Sequence, residues 1–269
     1  MMIKMIFSDF DYTLLNYYSD KNYFDEYQIG VLSKLKEKGI KFCIVTGRSV
    51  NFFEQFPNLL NVVDYIIGSN GSCVYDVKKH EYIYKRYIEK DILGRIIDYS
   101  IKNEYNFLLN CLNERYCYGN WHNVNCFEYQ EDEENEYDCE QIVLSFPKKD
   151  SDNVVKFIEY LNNIIVNNVS EWNERYSIDI NVKDVSKGNT INWLCSELNI
   201  GRKETICFGD GVNDISMFNS VGKSVSVFNA SDNVKTQADE VALSCEENGV
   251  YKYIEDNVLD KEVINNELK

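Results

Sequence analysis

The sequence has very little histidine and proline and no long apolar run. Two histidines and two prolines occur among its 269 residues. With so little imidazole, we expect any catalysis to use carboxylates and lysine. No uninterrupted apolar stretch approaches the length of a membrane span, and the apolar N-terminal run meets Asp9 too early for a signal peptide. These absences predict a cytoplasmic protein with no membrane partner.

Paired cysteine motifs are also missing. The nine cysteines are Cys43, Cys73, Cys111, Cys117, Cys126, Cys139, Cys195, Cys207 and Cys245. Their number is odd, and none forms a Cys-x-x-Cys pair. This pattern argues against zinc sites and disulfide frameworks, and it predicts reduced, mostly buried thiols.

Positive charge is scarce. Lysine and arginine total 28 against 44 aspartates and glutamates, which gives a net charge of -16. Nucleic acid is therefore not expected as a partner, because phosphate backbones are held by clustered Lys and Arg. A small anionic substrate requires a metal ion or local cations that reverse the field. The length suffices for one large domain or two modest ones.

An apolar run that ends in two aspartates stands near the start of the chain. Such a run predicts a buried strand whose tip opens into a polar crevice, the usual ligand site of an open α/β sheet. Alternate residues of an extended chain project to the same side, so we expect Asp9 and Asp11 to converge while Phe10 turns away. An isolated Asp-x-Asp more often only forms a turn. Two close carboxylates, however, need a cation or a shared proton.

Three further apolar runs end in polar groups. They are residues 40–45 before Thr46-Gly47-Arg48, residues 62–67 before Ser69-Asn70-Gly71, and residues 205–208 before Gly209-Asp210-Gly211-Val212-Asn213-Asp214. A helix with a capping box at Asp25 and Gln28 separates the first two strands. This alternation predicts an α/β fold, a doubly wound, Rossmann-like parallel sheet whose strand tips line one edge.

The middle of the chain differs from both ends in the order of its predicted helices and strands. A hairpin leads into it, and its predicted elements are helices at 91–103 and 154–165 and strands at 106–111, 116–118, 141–146 and 177–182. We predict an inserted α+β cap domain at residues 84–183, with residues 1–83 and 184–269 forming the catalytic core. The acidic run at residues 131–136 is expected to be a solvated loop.

Four aspartates would meet at the strand tips, near Lys187. Carboxylate oxygens are hard ligands suited to Mg²⁺, which prefers one or two carboxylates plus water and substrate phosphate. The four are Asp9, Asp11, Asp210 and Asp214. The sequence therefore predicts a magnesium site.

Four of the motifs described above, taken in their order along the chain, resemble those of the haloacid dehalogenase-like (HAD) hydrolase superfamily. The matching segments are Asp9-Phe10-Asp11-Tyr12-Thr13, Thr46-Gly47-Arg48, Lys187-Gly188 and Gly209-Asp210-Gly211-Val212-Asn213-Asp214. Ser69-Asn70-Gly71, Asn229-Ala230, Lys235 and Ala238-Asp239 are similar to marks of its Cof-type phosphatase branch, whose large cap is inserted where this middle block lies. Tyr12 departs from the family, which often has glycine there. This predicts a loop of different shape or a tyrosine presented to the cap.

The resemblance implies Mg²⁺-dependent phosphatase activity through an aspartyl-phosphate. Asp9 would attack phosphorus, and Asp11 would serve as general acid and then as general base. The metal ligands would be the Asp9 carboxylate, the Asp11 main-chain carbonyl, Asp210 and, directly or through water, Asp214. Lys187 would balance charge, and hydrogen bonds to phosphoryl oxygens would come from Thr46, Asn213 and the amides of Phe10 and Gly47.

Several alternatives stay open. The expected substrate is a small phosphorylated metabolite, most simply a sugar phosphate, but a phosphomutase or a catalytically silent regulatory binding protein would share these motifs. Dehalogenase activity is disfavoured, since Asp11 would then be idle. Arg48 is as well suited to a structural ion pair as to substrate contact. Asn70 is as well suited to a turn as to substrate contact. Cap aromatics between Tyr105 and Tyr129 could stack on a sugar or flavin-like ring, although strand packing is the favoured role. A monomer or weak homodimer is expected.

Overall fold

The structure, a computed structural model, describes residues 2–17, 24–121, 124–130 and 137–260. The strands are β1 (Met5–Ser8), β2 (Lys41–Val45), β3 (Tyr65–Gly68), β4 (Cys73–Asp76), β5 (Glu81–Lys85), β6 (Asn106–Cys111), β7 (Glu114–Tyr118), β8 (Phe127–Glu128), β9 (Gln141–Pro147), β10 (Ile164–Trp172), β11 (Arg175–Val182), β12 (Thr205–Gly209), β13 (Lys223–Val227) and β14 (Glu240–Ala242). The helices are α1 (Glu26–Glu37), α2 (Pro57–Leu60), α3 (Lys90–Lys102), α4 (Ser151–Tyr160), α5 (Lys187–Glu197), α6 (Ile215–Phe218), α7 (Asp232–Lys235) and α8 (Gly249–Ile254). Within this part of the chain, no helix has the length and apolarity needed to cross a membrane. The acidic run at residues 131–136 lies outside the described residues.

The eight-stranded sheet, called the core sheet here, has the order β14-β13-β12-β1-β2-β3-β4-β5. Its strands from β14 to β3 are parallel, and β4 and β5 add an antiparallel hairpin at one edge. The predicted α/β, doubly wound architecture is thus confirmed. β1 pairs with β2 on one side and with β12 on the other, so segments from both ends of the chain meet at the centre of the sheet.

Burial on both faces explains why β1 is apolar without alternation. Met5 and Phe7 pack in a cluster that includes Leu194 of α5. Ile6 packs on the opposite face, in the cluster that includes Leu32 of α1. Successive side chains of a strand point to opposite faces, and helices cover both faces of this sheet.

Helix α1 begins at the capping box expected from the sequence. The Asp25 side chain accepts a hydrogen bond from the Gln28 amide, and the Gln28 side chain accepts one from the Asp25 amide, both at 2.9 Å. The chain leaves the helix at Gly39, which has a φ of 73°. This left-handed conformation costs glycine little.

The six-stranded sheet, called the cap sheet here, has the order β10-β11-β9-β6-β7-β8. Its neighbouring strands are antiparallel except for the pair β7 and β8. Helices α3 and α4 pack on one face through an apolar cluster. The cap sheet lies within the predicted range 84–183, while β5 of the core sheet extends to Lys85. The domain limits themselves stay a prediction.

The helix predicted at residues 154–165 is wrong at its C-terminal end. Helix α4 ends at Tyr160, and strand β10 begins at Ile164. Asn163 between them has a φ of 64°, a left-handed conformation that breaks the helix. The apolar spacing that suggested a longer helix runs into Ile164 and Ile165, which are β-branched and favour a strand.

One cysteine pair contradicts the prediction that all thiols are reduced. Cys117 and Cys126 form a disulfide, with their Cα atoms 6.0 Å apart. The pairing of β7 with β8 brings these residues together, and nothing in their sequence spacing indicates it. Among the seven free cysteines, six are buried, as predicted.

Glu140 lies at the junction of cap and core, directly before β9. The Ser69 hydroxyl donates a hydrogen bond to Glu140 Oε1 at 2.6 Å, and the Ser72 hydroxyl donates to the Glu140 main-chain oxygen at 2.8 Å. Glu140 Oε2 is buried and has no hydrogen-bond partner in the described part of the chain. Burial raises the pKa of Glu140 to about 7. The fold therefore favours the neutral carboxylic acid over the carboxylate.

We expect Glu140→Gln to stabilise the protein at pH 8 and to have little effect at pH 5. Because the pKa of Glu140 is higher in the folded than in the unfolded state, its contribution to stability is full below about pH 4.5 and is lost as the pH rises to about 7. The gain at pH 8 should be at most about 3 kcal/mol. Urea unfolding at both pH values measures it.

Glu159→Gln is the matched control, since Glu159 is exposed on α4. It should change the free energy of unfolding by less than about 0.5 kcal/mol at either pH. An equal effect of Glu140→Gln at pH 5 and pH 8 would show that the buried carboxyl does not titrate in this range.

Candidate active site

Four neighbouring strands of the core sheet end at one edge, and the predicted site residues follow them. The strands are β12, β1, β2 and β3. Asp210, Asp9, Thr46 and the segment Ser69-Asn70-Gly71 come directly after them, in that order across the sheet. A cavity of about 620 Å³ lies at this edge, between the strand tips and the cap sheet. The structure thus brings together residues that are about 200 positions apart in sequence.

Lys187 lies between two of the aspartates and is almost fully buried. Its Nζ is 2.5 Å from Asp9 Oδ1 and 2.6 Å from Asp214 Oδ1. Burial opposes the charge of this lysine, but the carboxylates of Asp214 and Asp9 raise its pKa above the ordinary value. Lys187 is therefore a fixed cation at the bottom of the site.

Gly188 lets the helix that carries Lys187 approach α6 closely. A Cβ at this position would lie 2.1 Å from the main-chain oxygen of Ser216. The Gly188 amide also donates a hydrogen bond to Ser216 Oγ at 3.1 Å. Any larger residue would push α5 and its lysine away from the acids.

Three carboxylates form a compact cluster around this lysine. Asp9, Asp210 and Asp214 each offer one oxygen, and the three oxygens lie within 4.8 Å of one another. Burial raises the pKa of Asp9 well above its ordinary value, and the charge of Asp214 adds to this effect. Burial and Asp214 also raise the pKa of Asp210 to about 6. These shifts mark a site with more negative charge than one lysine balances.

The cluster is held in shape by its own loop. Asp214 Oδ2 accepts hydrogen bonds from the amides of Asp210 and Gly211, at 2.9 and 2.8 Å. The Thr13 hydroxyl donates to Asp210 Oδ1 at 2.7 Å. Carboxylate oxygens are hard ligands of the kind that a divalent cation prefers, and three of them are close together here. The residues present therefore fit a metal ion held by Asp9 and Asp210, with Asp214 behind them.

The side chain of Asp11 lines the same cavity but lies outside the carboxylate cluster. Arg48 donates to it through Nη2 and Nε, at 2.6 and 2.8 Å, and the Tyr17 hydroxyl donates at 2.7 Å. Asp9 and Asp11 both line the cavity, so their convergence on one point stays a prediction. The three-carboxylate cluster does not include Asp11, whose carboxylate pairs with Arg48. The predicted metal contact of its main-chain carbonyl stays a prediction. For Arg48, the ion-pair role is confirmed.

Tyr12 has a backbone conformation that glycine adopts more easily than tyrosine. Its φ is 57°, in the left-handed region that other residues enter only at a cost. Its side chain lines the cavity and lies 5.1 Å from the ring of Tyr17, measured between ring centroids. Of the two expectations for this departure, the structure supports the second, because the tyrosine lines the cavity beneath the cap sheet. A loop of different shape stays a prediction.

The groups expected to bind phosphate are placed as follows. Gly47 and Asn213 line the cavity. Thr46 is buried beside Gly47, and its Oγ1 accepts a hydrogen bond from the Arg48 amide at 3.1 Å. The ring of Phe10 turns away from the acids into a cluster with Phe24, Phe52, Phe53 and Phe56, as predicted. Its side chain is therefore not available to a substrate.

A chain of side-chain amides ties the cap to the core above these groups. Asn70 Oδ1 accepts a hydrogen bond from Asn213, and Asn70 Nδ2 donates to Gln141 and Asp179, all at 3.0 Å. Gln141 Nε2 in turn donates to the Gly47 main-chain oxygen at 3.1 Å. Asn70 is thus more than a turn residue, although its φ of 57° suits a turn. It links two core loops to two strands of the cap sheet.

The roof of the cavity is the face of the cap sheet turned away from α3 and α4, and sequence reasoning missed it. Its polar members in the cavity wall are Asn110, Arg115, Gln141, Asn168, Ser170 and Asp179. Burial raises the pKa of Asp179 to about 6. The sequence signal for this face is the alternation of polar and apolar residues along the strands. Asn110 and Gln141 are next to the buried Leu109 and Ile142, so they point to the opposite face of the cap sheet.

The cap aromatics do not contribute to the wall of this cavity. Tyr105 and Phe107 are buried in the cap core, where Tyr116, Tyr118 and Tyr129 pack against them. Among the described residues, the aromatic side chains in the cavity wall are those of Tyr12, Tyr17 and Phe52, all from the core. The favoured role, strand packing, is confirmed for the five aromatics that pack in the cap core, while Phe127 is exposed.

Comparison with known proteins places this geometry in a family. Residues 6–254 match the sequence pattern of haloacid dehalogenase-like hydrolases. The chain belongs to that family. It is 26% identical over 260 residues to the 5-amino-6-(5-phospho-D-ribitylamino)uracil phosphatase YcsE of Bacillus subtilis, covering 96% of each chain.

Solved HAD structures share the fold. A phosphatase of this superfamily from Bacteroides thetaiotaomicron superposes with a TM-score of 0.78, at 23% identity and 95% coverage of both chains. A sugar phosphatase of HAD subclass IIB also gives a TM-score of 0.78, at 23% identity, covering 94% of this chain and 98% of its own. The chain is therefore a HAD-like hydrolase, as the motifs implied, and its fold is shared by solved phosphatases of the superfamily.

We expect Lys187→Met to lower the free energy of unfolding by about 3–5 kcal/mol in metal-free buffer. The substitution leaves the buried carboxylates of Asp9 and Asp214 without their cation. Urea unfolding measures the loss. Lys223→Met is the control, because Lys223 pairs with Glu240 at the surface, and it should cost at most about 1 kcal/mol. Equal losses in the two variants would contradict a structural role for the buried ion pairs.

Proposed function

We propose that this enzyme is a Mg²⁺-dependent phosphatase that hydrolyses small phosphomonoesters, sugar phosphates in particular, through an aspartyl-phosphate. The observation that carries the proposal is the position of Asp9. Its carboxylate lies at the bottom of the cavity, 2.5 Å from Lys187 Nζ and within the cluster that fits a metal ion. A nucleophile that attacks a phosphate needs nearby positive charge, and Asp9 has this in its present position.

In the first step, an Asp9 oxygen attacks phosphorus and the bond from phosphorus to the leaving oxygen breaks. Two anions approach each other in this step, so positive charge must lie between them. Lys187 supplies part of it, and a bound Mg²⁺ would supply the rest by neutralising phosphoryl charge. Gly47 and Asn213, in the cavity wall, and Thr46 beside them are proposed to hold the phosphoryl oxygens.

Asp11 is proposed to give a proton to the leaving oxygen and then to take one from the water that hydrolyses Asp9-phosphate. The same two oxygens now accept hydrogen bonds from Arg48. Asp11 must therefore part from Arg48 before it can act as a general acid. Hydrolysis releases inorganic phosphate and restores the Asp9 carboxylate.

The polar roof supports the choice of a sugar phosphate. Asn110, Gln141 and Asp179 face the cavity, and amides and carboxylates are suited to hydrogen bonds with hydroxyl groups. The proposed partner is thus a small phosphorylated metabolite, and the proposed location of the enzyme is the cytoplasm. A panel of phosphorylated metabolites, assayed for phosphate release with Mg²⁺, tests the proposal directly. Inactivity towards every sugar phosphate would remove the substrate class.

We expect Asp9→Asn to lower kcat by about 1,000-fold or more while the protein stays folded, because an amide cannot form the covalent intermediate. Phosphate release measures the rate, and circular dichroism checks the fold. Asp232→Asn, which makes the same change at a highly exposed position, should leave the rate unchanged. A near-normal rate in Asp9→Asn would exclude the covalent mechanism.

We expect Asp210→Asn to act mainly on metal affinity. The Mg²⁺ concentration for half-maximal activity should rise about tenfold or more, since the cluster loses one of its three carboxylates. A Mg²⁺ titration of activity in both proteins measures the change. If the titration curve were unchanged and only kcat fell, Asp210 would not be a metal ligand.

A further inference from the structure

Arg115 is an arginine of the cap whose side chain lines the active-site cavity. It lies on β7, directly opposite Asn110 of β6, and Asn110 lies opposite Gln141 of β9. All three side chains belong to the cavity wall. Arg115 thus occupies the end of a row of polar residues that crosses the roof.

The guanidinium of Arg115 has no partner in the described part of the protein. Its Nε is buried without a hydrogen bond, and no described carboxylate forms an ion pair with it. Burial lowers the pKa of Arg115, and the positive charge of Arg48 lowers it further. An unpaired, partly buried cation is costly, and it is unexpected in a chain with a net charge of -16.

The two arginines of the cavity differ in this respect. Arg48 is occupied by Asp11 and lies over the ring of Phe52, at 4.0 Å from guanidinium carbon to ring centroid. Arg115 has no such neighbour among the described residues, so its donors can bind a ligand. A guanidinium in this position can bind a carboxylate or a phosphate through two hydrogen bonds.

The position of Arg115 separates it from the phosphate that is transferred. Gln141, which contacts Gly47, lies two strands from Arg115 in the cap sheet, a lateral distance of about 10 Å. Asp9 and Lys187 lie at the core side, at the bottom of the cavity. Arg115 therefore faces the part of the substrate that leaves with the alcohol.

We propose that Arg115 binds a second anionic group on the substrate, a carboxylate or a second phosphate, at the end of the leaving group remote from the transferred phosphate. This inference rests on the proposed phosphatase function and narrows its substrate class to phosphate esters with a further negative charge. Arg115 is then a specificity residue of the reaction. It makes no contact with the reacting atoms.

Binding of intact substrates to the full-length Asp9→Asn protein with Mg²⁺ tests the proposal without turnover. For the carboxylate, the matched probes are 6-phosphogluconate and sorbitol 6-phosphate, which differ only in a carboxylate replacing a CH₂OH group. For the second phosphate, the probes are fructose 1,6-bisphosphate and fructose 6-phosphate. Isothermal titration calorimetry should show that, in at least one pair, the ester with the second anion binds about tenfold more tightly, or better, than the ester without it. The pair that responds identifies the anion.

The added substitution Arg115→Gln should abolish that preference and should change the affinity for sorbitol 6-phosphate and fructose 6-phosphate, which lack the second anion, by no more than about twofold. Arg115→Lys should keep part of the preference for the second anion, because the positive charge remains while the bidentate hydrogen-bonding geometry is lost. Arg95→Gln is the control, because Arg95 lies on the exposed side of α3 and the substitution removes the same charge. It should leave the preference intact. Circular dichroism of each variant shows whether it is folded.

Equal affinity for both members of each pair, or a preference that survives Arg115→Gln, would overturn the inference and leave the phosphatase function standing. A preference lost equally in Arg95→Gln would reduce the effect to overall charge and would also overturn it. Absence of binding by all four esters, together with absence of phosphate release from the wild-type protein, would overturn both proposals.

Discussion

The buried ion pairs of Lys187 with Asp9 and Asp214 are the interactions on which the site depends. They join the first strand of the chain to two segments that lie almost 200 residues later. Burying three charged groups is costly, and removal of Lys187 would leave both carboxylates without their cation. The close approach of α5 at Gly188 makes the geometry possible. The same lysine is a fixed cation at this edge of the core sheet, where the proposed reaction would bring an anionic substrate.

Negative charge is the second constraint. The chain carries a net charge of -16, and its site gathers carboxylates. An anionic substrate can approach only where cations are local, which is why Lys187, Arg48 and Arg115 matter more than the overall field. The three cations differ in their partners. Lys187 is fixed by Asp9 and Asp214, and Arg48 is held by Asp11. Arg115 has no partner in the described part of the protein. The cavity thus has a graded distribution of positive charge.

The cap sheet serves two purposes because its two faces differ. One face packs apolar side chains such as Phe107 and Ile142 against α3 and α4, and the other presents amides and an arginine to the cavity. The network around Asn70 fixes how this polar face lies over the strand tips. Sequence alternation creates the two faces, and contact with the core decides which one meets the substrate.

The sequence by itself determined the parallel core, the inserted cap and the gathering of Asp9, Lys187 and Asp210. Hydrophobic runs and the residues at their ends are local features, and parallel strands always bring their tips to one edge. Only the tertiary structure decided that Arg48 takes the Asp11 carboxylate, that Arg115 joins the cavity wall, and that Cys117 pairs with Cys126. Such contacts depend on strand register and on the seating of the cap, which arise from packing across the whole molecule and leave no mark in a short stretch of sequence.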